Sequence, residues 1–267
     1  MFTTRLISGA VLVALTLLLG ILGGPVLAIV NGVIAVIGMF ELYRAFGIEN
    51  ERTALIGYLG AAVLYIFLIA GRRDLVLMAV ILTFLCMMAL YVFRFPKIET
   101  AEVLEAFFGF FYAGVLLSYL CQTRMAPDGK YTLWLIYLSA WGCDTSAYCV
   151  GKLFGKHHMT PELSPHKTIE GAVGGICGAA LFCLIYGLLV RDQLIAFEHP
   201  VFSCVLVGAV GALISMIGDL AASAVKRKAG IKDYGHLIPG HGGIMDRFDS
   251  IAFTAPVIYW LVVLLQA

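Results

Sequence analysis

Residues 74–93 read DLVLMAVILTFLCMMALYVF, a stretch of membrane-spanning length whose one charge is its first residue. A helix of about 20 apolar residues is about 30 Å long, the thickness of a bilayer's hydrocarbon core. Helices are expected here and not strands, because a lone lipid-exposed segment satisfies all of its backbone groups only as a helix. Comparable runs fall at 6–22, 25–43, 54–71, 104–121, 131–150, 170–190, 200–222 and 250–266, which makes nine predicted helices. Gly23-Gly24-Pro25 and the connection from Gly71 to Asp74 leave room only for tight antiparallel hairpins.

Composition agrees. The 267 residues are 61% hydrophobic and 13% charged, with a mean hydropathy of +0.95, which is too apolar for an ordinary soluble domain. The fold class expected is an all-α polytopic integral membrane protein with about nine transmembrane helices and a polar cavity facing the cytoplasm. The run after Arg5 reads as a retained first helix, because further apolar runs follow it and no polar mature domain does. The chain is taken as a single membrane domain, 1–267. Residues 1–121 are its scaffold and lipid-facing helices, and 131–267 its catalytic part.

The formal net charge of +1 argues against a nucleic-acid binder, which needs a clustered basic surplus. Assigning connections to alternate sides puts 13 of the 18 basic residues on one face, among them Arg44, Arg52, Lys152, Lys167, Lys226 and Arg247. The positive-inside rule then places the N-terminus in the cytoplasm and the C-terminus outside. The two longest polar connections, 151–169 and 223–249, share that basic face. The seven cysteines form no Cys-x-x-Cys pair and read as small packing residues.

Chemistry concentrates in SAVKRKAGIKDYGHLIPGHGGIMDRFDS, residues 223–250, directly after GDLAAS from Gly218. Asp246 and Asp249 are three apart and share a face if helical, as do Asp219, Ser223 and Lys226. Carboxylates with no cysteine or paired histidine suit a hard cation such as Mg²⁺, which takes few protein carboxylates and completes its shell with phosphate and water. Lys226, Arg227, Lys232 and Arg247 can neutralise a polyphosphate, and Gly240, Gly242 and Gly243 let backbone N–H groups approach it. Together these features point to phosphoryl chemistry. A basic loop gripping anionic headgroups would leave the aspartates among the bases and the His-Gly-Gly turn unexplained.

Upstream, Asp144 in WGCDTSAYCVGKLFGK and Asp219 lie near predicted cytoplasmic helix ends, and intramembrane carboxylates are functional by default. In SPHKTIEG, residues 164–171, Lys167 stands beside a helix start that Ser164 or Thr168 can cap, a plausible phosphate seat. Of the candidate acid/base histidines His157, His158, His166 and His241, only His241 lies inside this stretch. Asn31 and Glu41 carry no motif and receive no role.

These residues resemble the phosphatidate cytidylyltransferase, or CDP-diacylglycerol synthase, family. Its signature is matched at Ser223, Lys226-Arg227, Lys232-Asp233, Pro239, His241 to Gly243, Asp246-Arg247 and Asp249, and the similarity reaches back to Asp144, 164–171 and Gly218-Asp219. His166, Ile169 and Ser146 depart from it, standing where the family often has Lys, Trp and Gly. The N-terminal half is similar only as hydrophobic helices. The resemblance implies transfer of a cytidylyl group from CTP to phosphatidic acid, giving CDP-diacylglycerol and pyrophosphate. It implies Mg²⁺ on Asp219 and Asp246 with Asp144 and Asp249 in the same cluster, and a second cation such as K⁺. Lys167, Lys226, Arg227, Lys232, His241 and Arg247 would be catalytic, and Ser223, Gly240, Gly242 and Gly243 would hold the nucleotide. The location implied is the inner or plasma membrane with the site facing the cytoplasm; a homodimer is allowed and not required. The rival enzyme is a CTP-dependent kinase of a polyprenol or other lipid alcohol, attacking the γ-phosphorus. A transporter or channel would account for the helices but not for the charges of 218–249.

Overall fold

The apolar runs fold as helices, as backbone groups in lipid require. The computed structural model describes residues 2–240 and 242–266, with side chains from residue 7. Its helices are α1 (Phe2–Leu22), α2 (Gly24–Phe46), α3 (Arg52–Ile69), α4 (Val76–Phe93), α5 (Thr100–Gly109), α6 (Leu116–Arg124), α7 (Gly129–Phe154), α8 (Ile169–Val190), α9 (Pro200–Lys228) and α10 (Met245–Leu265). A π-helical turn, Phe110–Val115, joins α5 to α6 without a break. Each of the nine predicted runs is found in one helical segment, so the protein is an all-α, multi-pass membrane protein. Among the described residues, seven segments are both long and apolar enough to span a bilayer. The apolar part of α1, Ile7–Leu22, is shorter. The 26-residue α7 is not among the seven, its Trp, Tyr, Gly and Ser residues and Asp144 diluting its hydropathy.

The chain divides into two compact units, one of Met1–Gln122 with Ala229–Arg247 and one of Thr123–Lys228 with Phe248–Ala267. In the first, α2, α3, α4 and α5 pack together. Tyr43 fills the space between α2 and α5 and donates its hydroxyl to the Ala106 carbonyl at 2.8 Å. Asn31, buried on α2, donates to the Leu117 carbonyl at 2.7 Å and to the Tyr65 hydroxyl at 3.1 Å, and Tyr65 donates in turn to the Gly114 carbonyl. Hydrogen bonds between membrane helices contribute on average about 0.6 kcal/mol and at most about 1.7. Asn31→Leu keeps the bulk and removes the donors, so it should cost about 1 kcal/mol, read as a lowered thermal midpoint in detergent with activity retained. Helix α2 ends where Gly47 turns left-handed at φ 77°, letting the Gly47 and Ile48 amides fold back onto the Arg44 and Tyr43 carbonyls.

In the second unit α8 packs against both α7 and α9. Its seam is built from small residues, as close approach of membrane helices demands: Cys143, Ala179 and Ala212 form a buried core from one helix each. Between α7 and α8 the polar connection folds as a hairpin of β1 (His158–Thr160) and β2 (Ser164–Thr168), antiparallel with a bulge. Only Thr168 of the two candidate caps is used, accepting from the Gly171 amide at 3.1 Å; Ser164 lies in β2.

Candidate active site

Helices α7 and α9 and the hairpin of the second unit place their polar residues around one cavity of about 560 Å³, lined by Asp144, Lys167, Asp219, Ser164, His166 and Thr168 among others. Each is set there by a local cause. Helix α7 runs past Asp144 to Phe154, placing this carboxylate in the helix's second half. Lys167 is the last residue but one of β2, directly before the cap of α8, and the hairpin is tied down on both sides. The Ile169 amide donates to the His157 carbonyl, and the Glu170 carboxylate accepts from the Lys156 and His157 amides at 3.1 and 3.2 Å. So held, Lys167 Nζ forms an ion pair with the Asp219 carboxylate of α9, both side chains about a quarter to a third exposed (26% and 31%).

Asp249, buried at 8% exposure, feels the charges of Asp219 and Asp144, with Lys226 the opposing positive charge. Lys226 and Arg227 belong to α9, which extends six residues past the predicted end at 222. Basic residues in a last helical turn complement the helix dipole. Among the described residues no three His, Cys, Asp or Glu side chains are grouped to cage a metal ion. The two carboxylates lining this cavity nevertheless fit Mg²⁺, an ion that takes one or two carboxylates and completes its octahedron with phosphate and water. The donor set is all oxygen, which disfavours softer metals.

The first unit has a separate polar cavity of about 480 Å³, lined by Lys232, Asp233, His236, Gly240, Gly242 and Arg247. Beside it Asp246, 7% exposed, accepts at Oδ2 from the amides of Tyr234 at 2.8 Å and Gly243 at 2.9 Å. Gly240 and Gly242 both have positive φ, 75° and 83°, conformations that cost a glycine little and other residues more. Two cations and a glycine turn make a surface suited to phosphate oxygens. Ser223 and Arg227 line neither of these two cavities, and His241 lies outside the described residues.

Two polar residues not singled out from sequence stand beside the motif. Glu41 Oε1 accepts from the Ile244 amide at 3.0 Å and Oε2 from the Met245 amide at 2.9 Å, while Arg44 donates to the Tyr234 carbonyl at 2.7 Å. The signal that could have found Glu41 was available, since it is a carboxylate near the end of an apolar helix, like Asp144.

A model of the cytidylyltransferase family matches residues 3–265. The phosphatidate cytidylyltransferase of Staphylococcus saprophyticus is 31% identical over 257 residues, covering 94% of this chain and 96% of its own. That of Synechocystis sp. is 31% identical over 295 residues, covering 98% and 97%, and that of Staphylococcus aureus strain COL is 32% identical over 262 residues, covering 94% and 96%.

Proposed function

This chain belongs to the cytidylyltransferase family, and from that premise we propose that it transfers the cytidylyl group of CTP to phosphatidic acid, forming CDP-diacylglycerol and pyrophosphate. A phosphate oxygen of the lipid attacks the α-phosphorus of CTP, the bond from that phosphorus to the oxygen bridging to the β-phosphorus breaks, and pyrophosphate leaves with the electron pair. The attacking phosphate is already ionised, so no strong base is needed. The obstacle is repulsion between two polyanions, and catalysis is positioning plus charge neutralisation.

The observation that carries this reading is the pairing of Lys167 with Asp219 in a cavity that Asp144 also lines, in a chain similar over nearly its whole length to phosphatidate cytidylyltransferases. Asp144 and Asp219 are proposed to hold Mg²⁺, which when bound neutralises phosphate charge and polarises the α-phosphorus. Lys167 supplies a point charge to a phosphate oxygen, and Lys232 and Arg247 receive phosphate oxygens in their own cavity. The bilayer keeps the acyl chains while the headgroup meets CTP from the cytoplasm. That orientation is supported by the basic connections and by the contacts of Glu41 and Arg44, at the end of α2, with 234–245, which put those two connections on one side.

Membranes containing the protein, supplied with CTP labelled at the α-phosphorus and phosphatidic acid, should yield a labelled CDP-lipid and unlabelled pyrophosphate. Release of labelled CDP with a phosphorylated lipid alcohol would establish the kinase in its place.

A further inference from the structure

We propose that Glu41 is a positioning residue of the reaction. From helix α2, 203 residues away along the chain, it fixes the segment that presents Asp246. The inference rests on the proposed cytidylyl transfer, in which the family resemblance gives Asp246 a part in the chemistry.

The first amides of a helix have no partner within it, and at the start of α10 three consecutive amides are each met by a carboxylate. Asp246 takes that of Gly243, and Glu41 takes those of Ile244 and Met245. Asp246 takes the Tyr234 amide with the same oxygen, and Arg44 takes the Tyr234 carbonyl. The two arms of the 234–246 segment are thus joined by Asp246 on the inside and braced by Glu41 and Arg44 on the outside. The sterics agree. An added Cβ at Gly235 or Gly243 would collide with the Glu41 carboxylate, so each arm approaches it as only glycine can. Gly38, three residues before Glu41, lies against the Met245 side chain. Residues 38, 41 and 44 lie along one face of α2, and that face forms the seat of the segment.

Glu41 is 4% exposed, and a carboxylate removed from water persists only when hydrogen-bonded. The two amides, one on each carboxyl oxygen, and the positive end of α10 meet that need. A glutamine at this position would offer one acceptor to two N–H groups and turn its own amide hydrogens toward the second. An aspartate would keep both oxygens and fall one methylene short.

The test uses the full-length protein in detergent, with Glu41→Gln, Glu41→Asp and Asn31→Leu as a control for general destabilisation. Hydrogen exchange is followed in peptides covering 234–246 and in peptides from α7 and α8, and kcat and KM for CTP are measured in parallel. Glu41→Gln should accelerate exchange within 234–246 alone and lower kcat by about 10- to 100-fold, the usual cost of removing a group that orients a ligand, with KM for CTP changing far less. Glu41→Asp should fall between it and the parent, and Asn31→Leu should show neither effect. Unchanged exchange at 234–246, acceleration throughout the protein, or a kcat within about twofold of the parent would each overturn the proposal. The exchange readout uses no substrate, so it decides Glu41's hold on the segment whatever product the enzyme makes.

Discussion

Asp246→Asn is expected to insert and fold normally while losing at least about 99% of turnover, with a large rise in the Mg²⁺ concentration giving half-maximal rate. The expectation of a preserved fold comes from the hydrogen bonds. One oxygen, Oδ2, accepts from both Tyr234 and Gly243, and the amide oxygen of an asparagine can occupy the same point and keep both. What disappears is the negative charge, which the family resemblance assigns to a metal ion. Loss of one preorganised electrostatic group costs about 10²- to 10³-fold in rate. Thermal midpoint and exchange within 234–246 should stay near those of the parent, which separates this variant from Glu41→Gln. A variant that keeps a tenth of parental turnover would remove Asp246 from the chemistry and leave it a loop-closing residue.

The contrast between these two carboxylates shows what a sequence can and cannot carry. Asp246 was visible because its neighbours are themselves unusual, with Lys232, His241, Gly242, Gly243, Arg247 and Asp249 close by. Glu41 sits in ELYRAF with no such company, and its partners are backbone amides that every residue owns. A role made of tertiary contacts to main chain leaves no motif to read, only a lone carboxylate near the end of an apolar helix.

The spanning segments were legible for the opposite reason, since hydrocarbon imposes one solution on any long apolar run. Their ends were less so. Helix α9 continues to Lys228 because a helix can carry its basic residues out of the bilayer, whereas hydropathy stops at the last apolar turn. Helix α10 begins at Met245, five residues ahead of the predicted start, with its first amides met by Glu41 and Asp246. The hairpin of β1 and β2 escaped notice because its strands are short, contain Pro165 and have no buried face to impose a two-residue alternation. The grouping of Ala229–Arg247 with the N-terminal helices likewise follows from contacts made by α2, a helix that hydropathy describes only as apolar.

Lys167→Met should be the second severe lesion, lowering kcat/KM by about 10²- to 10³-fold as the loss of one fixed charge at a developing phosphate charge does. Methionine matches the length of the stem and removes only the ammonium, so the hairpin, held by Thr168, Ile169 and Glu170, should keep its shape. Arginine should restore only part of the activity, because a planar fork cannot replace a compact charge in a space shared with Asp219. The Mg²⁺ dependence of Lys167→Met carries the mechanistic information. Lys167 and a metal ion both compete for the Asp219 carboxylate, so removing the ammonium leaves the cavity more negative. The Mg²⁺ concentration for half-maximal rate should then hold steady or fall, while the KM values for CTP and phosphatidic acid rise. If the Mg²⁺ requirement rose about tenfold with both KM values unchanged, Lys167 would be orienting Asp219 for the cation and not binding phosphate. The ion pair would then be a scaffold for the metal site, and the charge that meets the lipid phosphate would have to come from another basic residue, with Lys152 the remaining cation lining that cavity.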